Sequence, residues 1–386
     1  MIQHARACKI SLCLKSIKQG KMLNNHNNLG RREMEGREDR ILVVSPAWVG
    51  DMVMAQTLYK VLRRRYPDIK IDVIAPPATL PLVSRMPEIS RGIRFDLAHG
   101  ELGIGKRKIC GKALSKNEYR QAIVLPNSLK SALVPFYANI PLRTGFRGEF
   151  RYGLINDMRM LNKRNLPRMI DRFAALAYEN SYKNGYGFGA ELPPLENPSL
   201  IVNEHNKNKL IEKFGLDLLR PVMAICPGAE FGDAKKWPEN HYGKLLDQAV
   251  ERGMQVWIFG GPKDQSTAQN ISALATMANV EFVQDFTGKT SLLDVIDLLS
   301  LCRLVVSNDS GLMHIAAAVG CHTSVIYGST SPEFTPPLTD KLDILSLGLS
   351  CSPCFKRDCP LNHKKCLVDL KPELFIPIID LHCDAR

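Results

Sequence analysis

Apolar residues along this chain fall into short runs that alternate with stretches of helical spacing. Ile41 to Val44 is a compact apolar run, Asp51 to Tyr66 carries Met52, Ala55, Leu58 and Leu62 on one stripe, and Ile69 to Ala75 returns to strand-like residues. Strand, helix, strand in this order predicts a parallel pair joined by a right-handed crossover. Gln121 to Pro126 adds a strand to the same half, with helices predicted over Ser128 to Tyr137 and Arg168 to Tyr178. Residues 186–200, rich in Gly and Pro, read as a linker. Beyond it the alternation resumes, with strands predicted at Val222 to Cys226, Val256 to Gly260, Glu281 to Phe286, Leu304 to Ser307 and Thr323 to Tyr327. The fold class is α/β: two Rossmann-like doubly wound domains, 40–190 and 201–386, facing across a cleft. Ligands of such sheets bind beyond the carboxyl ends of the strands, so the chemistry belongs in the loops that follow them.

Composition changes this picture little. A chain of 386 residues suits two cores better than one. No apolar run reaches the ~18 residues of a spanning helix, Ala132 to Ile140 included, so a soluble chain is expected. Residues 1–39 combine Lys, Arg and Asn with one weak apolar stretch and read as a disordered extension, with Met22 or Met34 as alternative starts. The net charge of +12 calls for an anionic partner without choosing one. Nucleic acid is disfavoured, because the basic residues are not interleaved with a stacking surface. Eleven cysteines in a long chain with no convincing signal peptide point to reduced thiols in the cytosol, with Cys226, Cys302 and Cys321 as small buried hydrophobes.

Three loops after predicted strands carry the candidate chemistry. In the first, Ser45 to Asp51, Gly50 permits a tight turn and Asp51 falls at a helix start. There it can cap free N–H groups or, projecting into the cleft, accept a proton from a hydroxyl. The spacing is not that of a dinucleotide fingerprint. The second, Cys226 to Pro238, offers Gly228 and Gly232 for close backbone approach and Lys235 and Lys236 as positive charge, which fits a phosphate-holding loop. In the third, a helix begins near Ser310 with Gly311 in its first turn, so free N–H groups and the positive end of the helix can hold a pyrophosphate. Asp309 lies beside it for sugar hydroxyls, and His314 is either a ligand contact or a packed core residue.

In this order the loops resemble the ADP-heptose:lipopolysaccharide heptosyltransferases, inverting enzymes of GT-B fold. The resemblance runs from about Ile41 to Thr335 and includes the strings SPAWVGDMVMAQTLY, LPNSLKSALVPF, RTGFRGEFRYGLINDMR, CPGAEFGDAKKWP, NDSGLMHIAAA and SPEFTPP. Its first loop is similar to that of members adding the second heptose. The resemblance implies a catalytic aspartate at Asp51, a phosphate-binding lysine at Lys235, and a donor site at Gly228, Asp309, Ser310, Gly311 and His314, with Asp264 near the ribose. It implies ADP-heptose as donor, no required cofactor, and a heptosylated Kdo-lipid A acceptor met at a cytoplasmic, anionic membrane surface by a peripheral enzyme. Acceptor phosphate is expected at Lys130, Arg143, Arg147 and Arg151. An ordinary aspartate is a weak base at neutral pH, so late proton transfer is expected. No metal is required for chemistry, although Cys351, Cys354, Cys359 and Cys366, with His363 nearby, are dense enough for a structural zinc. Unmetallated thiols are the preferred state. A heptosyltransferase acting at a different acceptor step, a nonenzymatic nucleotide-sugar binder and an epimerase of the same architecture remain alternatives.

Overall fold

Ile41, Leu42 and Val43 are all fully buried, and consecutive buried positions on both faces of a strand require helices on each side of its sheet. The computed structural model bears this out for the residues it describes, 39–96, 101–178 and 192–384. The N-terminal extension up to residue 38, with Met22 and Met34, and linker residues 186–191 lie outside them.

Strands Arg40–Val44 (β1), Lys70–Ala75 (β2), Arg91–Arg94 (β3), Gln121–Val124 (β4), Leu142–Phe146 (β5) and Asp157–Arg159 (β6) form one parallel sheet in the order β3, β2, β1, β4, β5, β6. Strands Val222–Cys226 (β7), Gln255–Ile258 (β8), Val283–Asp285 (β9), Leu304–Asn308 (β10), His322–Ile326 (β11) and Leu342–Leu345 (β12) form the second, ordered β12, β11, β10, β7, β8, β9. Both follow the doubly wound order, with topological switch points between β1 and β4 and between β7 and β10. The three loops singled out above follow β1, β7 and β10.

Strands β3, β5, β6 and β12 escape the apolar-run reading. β3 is Arg-Gly-Ile-Arg and largely exposed, and β6 is Asp-Met-Arg, as edge positions allow. The helix predicted from Ser128 splits into a 3-10 turn, Leu129–Ala132, and an α-helix, Leu133–Tyr137. Pro135 has no N–H to return to the preceding turn, which therefore tightens.

Helix Val49–Arg65 buries Met52, Val53, Ala55, Leu58, Tyr59 and Leu62, places Arg63, Arg64 and Arg65 in its last turn where the helix end is negative, and stops before Pro67. The largest apolar cluster is continuous through both sheets. Segment Ser199–Asn203 ties the halves together: Gln56 Nε2 donates to Ser199 O at 2.8 Å, Leu200 N to Ala318 O at 2.9 Å and Ile201 N to Arg85 O at 2.9 Å. Arg85 Nη2 in turn meets Asp297 Oδ2 at 2.6 Å.

Candidate active site

Asp51 sits in the first turn of helix Val49–Arg65, behind an extended N-cap residue, Trp48. Among the described residues no hydrogen bond contributes to the state of its carboxylate, which is set first by burial and then by the charges of Lys235 and Asp309. Capping is therefore not its role. Burial in the cleft raises its pKa from 3.8 to about 6, the Lys235 ammonium opposing the rise and the Asp309 carboxylate adding to it. This corrects the expectation of an ordinary, weakly basic aspartate.

The helix tips that carry the first and third loops touch. A Cβ on Gly50 would stand 2.7 Å from His314 Cδ2, and one on Gly311 would stand 2.8 Å from Val49 Cβ. Neither glycine has a positive φ. Gly50 is thus needed for close approach between the two halves and not for the tight turn its position suggests. His314 is buried in this contact, and desolvation lowers its pKa to about 4, so it is neutral at physiological pH while still lining the cleft.

Lys235 closes a 3-10 turn, Asp233–Lys235, and its Nζ lies 2.6 Å from Asp309 Oδ2 and 3.4 Å from Asp309 O. Thr330 Oγ1 donates to the same Asp309 oxygen at 2.5 Å. Asp309 therefore holds Lys235 in place. Its neighbour Asn308, which sequence reasoning passed over, fastens the second loop to the third. Asn308 Oδ1 accepts from Trp237 N at 3.1 Å and Tyr242 O–H at 3.0 Å, while its Nδ2 donates to Pro227 O at 2.6 Å. Ser310, the N-cap of helix Gly311–Ala318, forms no side-chain cap, leaving the helix's first N–H groups open at the cleft. Gly228 and Asp264 meet each other. A Cβ at Gly228 would be 2.6 Å from Asp264 Oδ2, which itself accepts from Gly261 N at 2.9 Å.

Two cavities open around Asp51. One, of about 450 Å³, lies between the halves and is lined by Lys235, Asp309, Ser310, Gly311, His314 and Phe334 among others. The other, of about 640 Å³, lies against the first sheet and is lined by Ser45, Phe95, Arg107, Asn127, Ser128 and Lys130 among others. Trp48, Asp51 and Met169 line both.

Of the expected acceptor residues, Lys130 lines the second cavity. Arg143 turns instead to main-chain carbonyls, donating to Leu154 O at 2.6 Å and Ile140 O at 2.6 Å. Arg151, fully buried, donates to Pro126 O at 2.7 Å, Asn127 Oδ1 at 3.1 Å and Phe146 O, bracing the loop that carries Lys130. Arg147 is exposed. Arg107 was missed. It is 8% exposed, its Nε donates to Leu102 O at 2.7 Å, it stacks on Phe95, and it faces the cavity. The buried set Arg107, Gly111 and Leu114 has helical spacing, but the flanking Lys106 and Lys108 hide it in a charge run.

Cys226, Cys302 and Cys321 are buried as expected. Cys351, Cys354, Cys359, Cys366 and His363 line a small cavity of about 20 Å³ against Ala234 and Ser329. Among the described residues, no three His, Cys, Asp or Glu side chains are grouped so as to hold a metal ion.

The family model for glycosyltransferase family 9 (heptosyltransferase) matches residues 107–365, a span that holds Lys235 and Asp309 but not Asp51. The chain belongs to glycosyltransferase family 9, the heptosyltransferases. Lipopolysaccharide heptosyltransferase 2 of Salmonella typhimurium is 44% identical over 335 residues, 86% of this chain and 95% of that protein. The solved structure of Escherichia coli ADP-heptose lipopolysaccharide heptosyltransferase II superposes with a TM-score of 0.80 at 40% identity, covering 89% of this chain and 98% of that one. A family 9 glycosyltransferase from Veillonella parvula, at 19% identity, shares the fold with a TM-score of 0.69 over 80% of this chain and 86% of its own. Two doubly wound sheets facing across a cleft are the GT-B arrangement expected from the sequence.

Proposed function

We propose that this family 9 heptosyltransferase transfers L-glycero-D-manno-heptose from ADP-heptose to the first heptose of the lipopolysaccharide inner core, inverting the anomeric carbon. One observation carries the reading: Asp51 stands in the wall shared by two cavities, and one of them is edged by Lys235 and an open helix start. The first cavity then takes the donor and the second the acceptor. The acceptor hydroxyl oxygen attacks the anomeric carbon, its proton passes to the Asp51 carboxylate, and the bond from that carbon to the pyrophosphate oxygen breaks as ADP leaves. With a pKa of about 6, Asp51 is mostly ionised at neutral pH yet closer to the optimum for a base than an exposed aspartate. Lys235 and the N–H groups at Gly311 stabilise the charge that grows on the departing ADP, so the chemistry requires no metal.

On this reading the lipid-linked acceptor is met at the cytoplasmic face of an anionic membrane. No described helix is long and apolar enough to cross a bilayer, which supports contact at the membrane surface. Transfer from ADP-heptose to a defined one-heptose core, read by mass spectrometry, tests the proposal. A mass gain of one heptose, with ADP released only when acceptor is present, is expected. Release of ADP without acceptor, or transfer only to a core lacking heptose, would overturn it.

A further inference from the structure

We propose that the turn Arg147 to Tyr152 is a bilayer contact that seats the acceptor cavity on an anionic membrane. The inference rests on the lipid-linked acceptor proposed above.

Phe150 is 86% exposed, the highest value among the large apolar side chains described, and Tyr152 is 65% exposed. Isolated exposed hydrophobics are ordinary, but these two are displayed by a turn that Gly148, Glu149 and Arg151 anchor to the segment Pro126 to Leu129. Gly148 packs so closely on Asn127 that a Cβ would stand 2.1 Å from the Asn127 carbonyl oxygen. Glu149 N donates to Asn127 O at 3.1 Å, and Glu149 Oε2 accepts from Leu129 N at 2.9 Å. Arg151 is fully buried beneath Pro126 and Asn127. The loop gripped in this way is the one whose Asn127, Ser128 and Lys130 line the acceptor cavity. Two aromatic side chains are therefore displayed from a rigid support at the back of that loop.

The partner follows from charge and continuity. Arg147 is exposed in the same turn, and its N–H donates to Arg159 O at 2.7 Å, bringing the following residue, Met160, 57% exposed, alongside. Lys163 and Arg164 are exposed just beyond, and the nearby acids are engaged: Glu149 with Leu129 N, Asp157 with Arg159. Aromatic tips within a basic rim suit an interface of acyl chains and anionic headgroups, and a lipid-linked acceptor brings that interface to the cavity.

The test uses the full chain and a Phe150→Ser/Tyr152→Ser variant, with co-sedimentation on vesicles of phosphatidylglycerol and phosphatidylethanolamine, or of phosphatidylcholine alone. Wild type is expected on the anionic vesicles and the double variant at least ~10-fold weaker. Arg147→Glu should weaken anionic binding alone. Transfer to vesicle-borne acceptor should fall with binding, while transfer to a deacylated, soluble acceptor stays within about twofold because the turn's inward contacts are kept. Unchanged vesicle binding by the double variant would overturn the inference. So would an equal loss on the soluble acceptor, or a wild-type dimer in sedimentation that the variant abolishes, which would give the patch to a second copy of the chain. The vesicle arm needs no acceptor, so failure of wild type to transfer heptose would sink the acceptor reading without deciding this one.

Discussion

Because burial carries the Asp51 carboxyl from 3.8 to about 6, its charge changes just below the working pH. As the proposed base must be ionised, kcat/KM should fall about tenfold per pH unit below about 6, measurable in a pH profile with saturating donor. Asp51→Asn should lower transfer by about 10²- to 10⁴-fold. The same shift acts on stability in the opposite sense. A carboxyl with a raised folded pKa binds more protons folded than unfolded between 3.8 and about 6, so stability falls as pH rises through that window. Above it the penalty is at most about 3 kcal/mol. Asp51→Asn should therefore be the more stable protein at pH 7.5 and no more stable near pH 4, as chemical denaturation would show. Arg107, buried at the cavity proposed for the acceptor, belongs to the same scale. Arg107→Ala is expected to raise acceptor KM about tenfold with donor KM unchanged, in steady-state kinetics with each substrate varied.

Between elements, the helix tips at Gly50 and Gly311 set how closely the halves approach. A methyl group at either position meets an atom below 3 Å, so Gly50→Ala should destabilise by roughly 1–3 kcal/mol and raise donor KM, because the cavity edged by Lys235 is forced open. Calorimetry and donor titration would check the two effects separately. The segment Arg147 to Arg151 acts on the acceptor loop in a comparable way. Replacing Arg151 by Met leaves Pro126 O and Phe146 O without their donor, at roughly 1–3 kcal/mol for each group left unpaired, and should disorder Lys130. Raised acceptor KM with normal donor KM, alongside an earlier denaturation midpoint, is the expected result.

A buried ion pair between Arg85 and Asp297 adds to the contacts that join the halves. Arg85 is 8% exposed and Asp297 fully buried, and Asp297 also accepts from Asn203 N at 2.8 Å and Asn206 Nδ2 at 2.8 Å. Arg85→Ala strands a carboxylate in the interface and should cost about 3–5 kcal/mol. Adding Asp297→Asn should recover part of that loss, because the uncompensated charge goes with it. A double-mutant cycle in urea would measure the coupling between the two halves, and additive losses would show that the pair does not join them.

Local pattern made much of this molecule legible in its sequence. Buried strands such as β1, β7 and β10 announce themselves because both faces are apolar, and the three loops that end on Asp51, Lys235 and Ser310 follow directly from them. Edge strands β3 and β6 were not legible, since an exposed edge imposes no apolar run. Folding alone decided where the guanidiniums went. Arg107, Arg143, Arg147 and Arg151 are chemically alike, yet one faces the cavity, two serve main-chain carbonyls and one faces solvent. Each outcome depends on atoms distant in sequence. The same holds for the glycines at the helix tips, which answer to a neighbour in the other half, and for the raised pKa of Asp51. The sequence by itself determined which groups the site would contain, because motif residues lie at fixed offsets from their strands. Tertiary structure decided which of them are desolvated, paired or free, because burial and charge are properties of the assembled cleft.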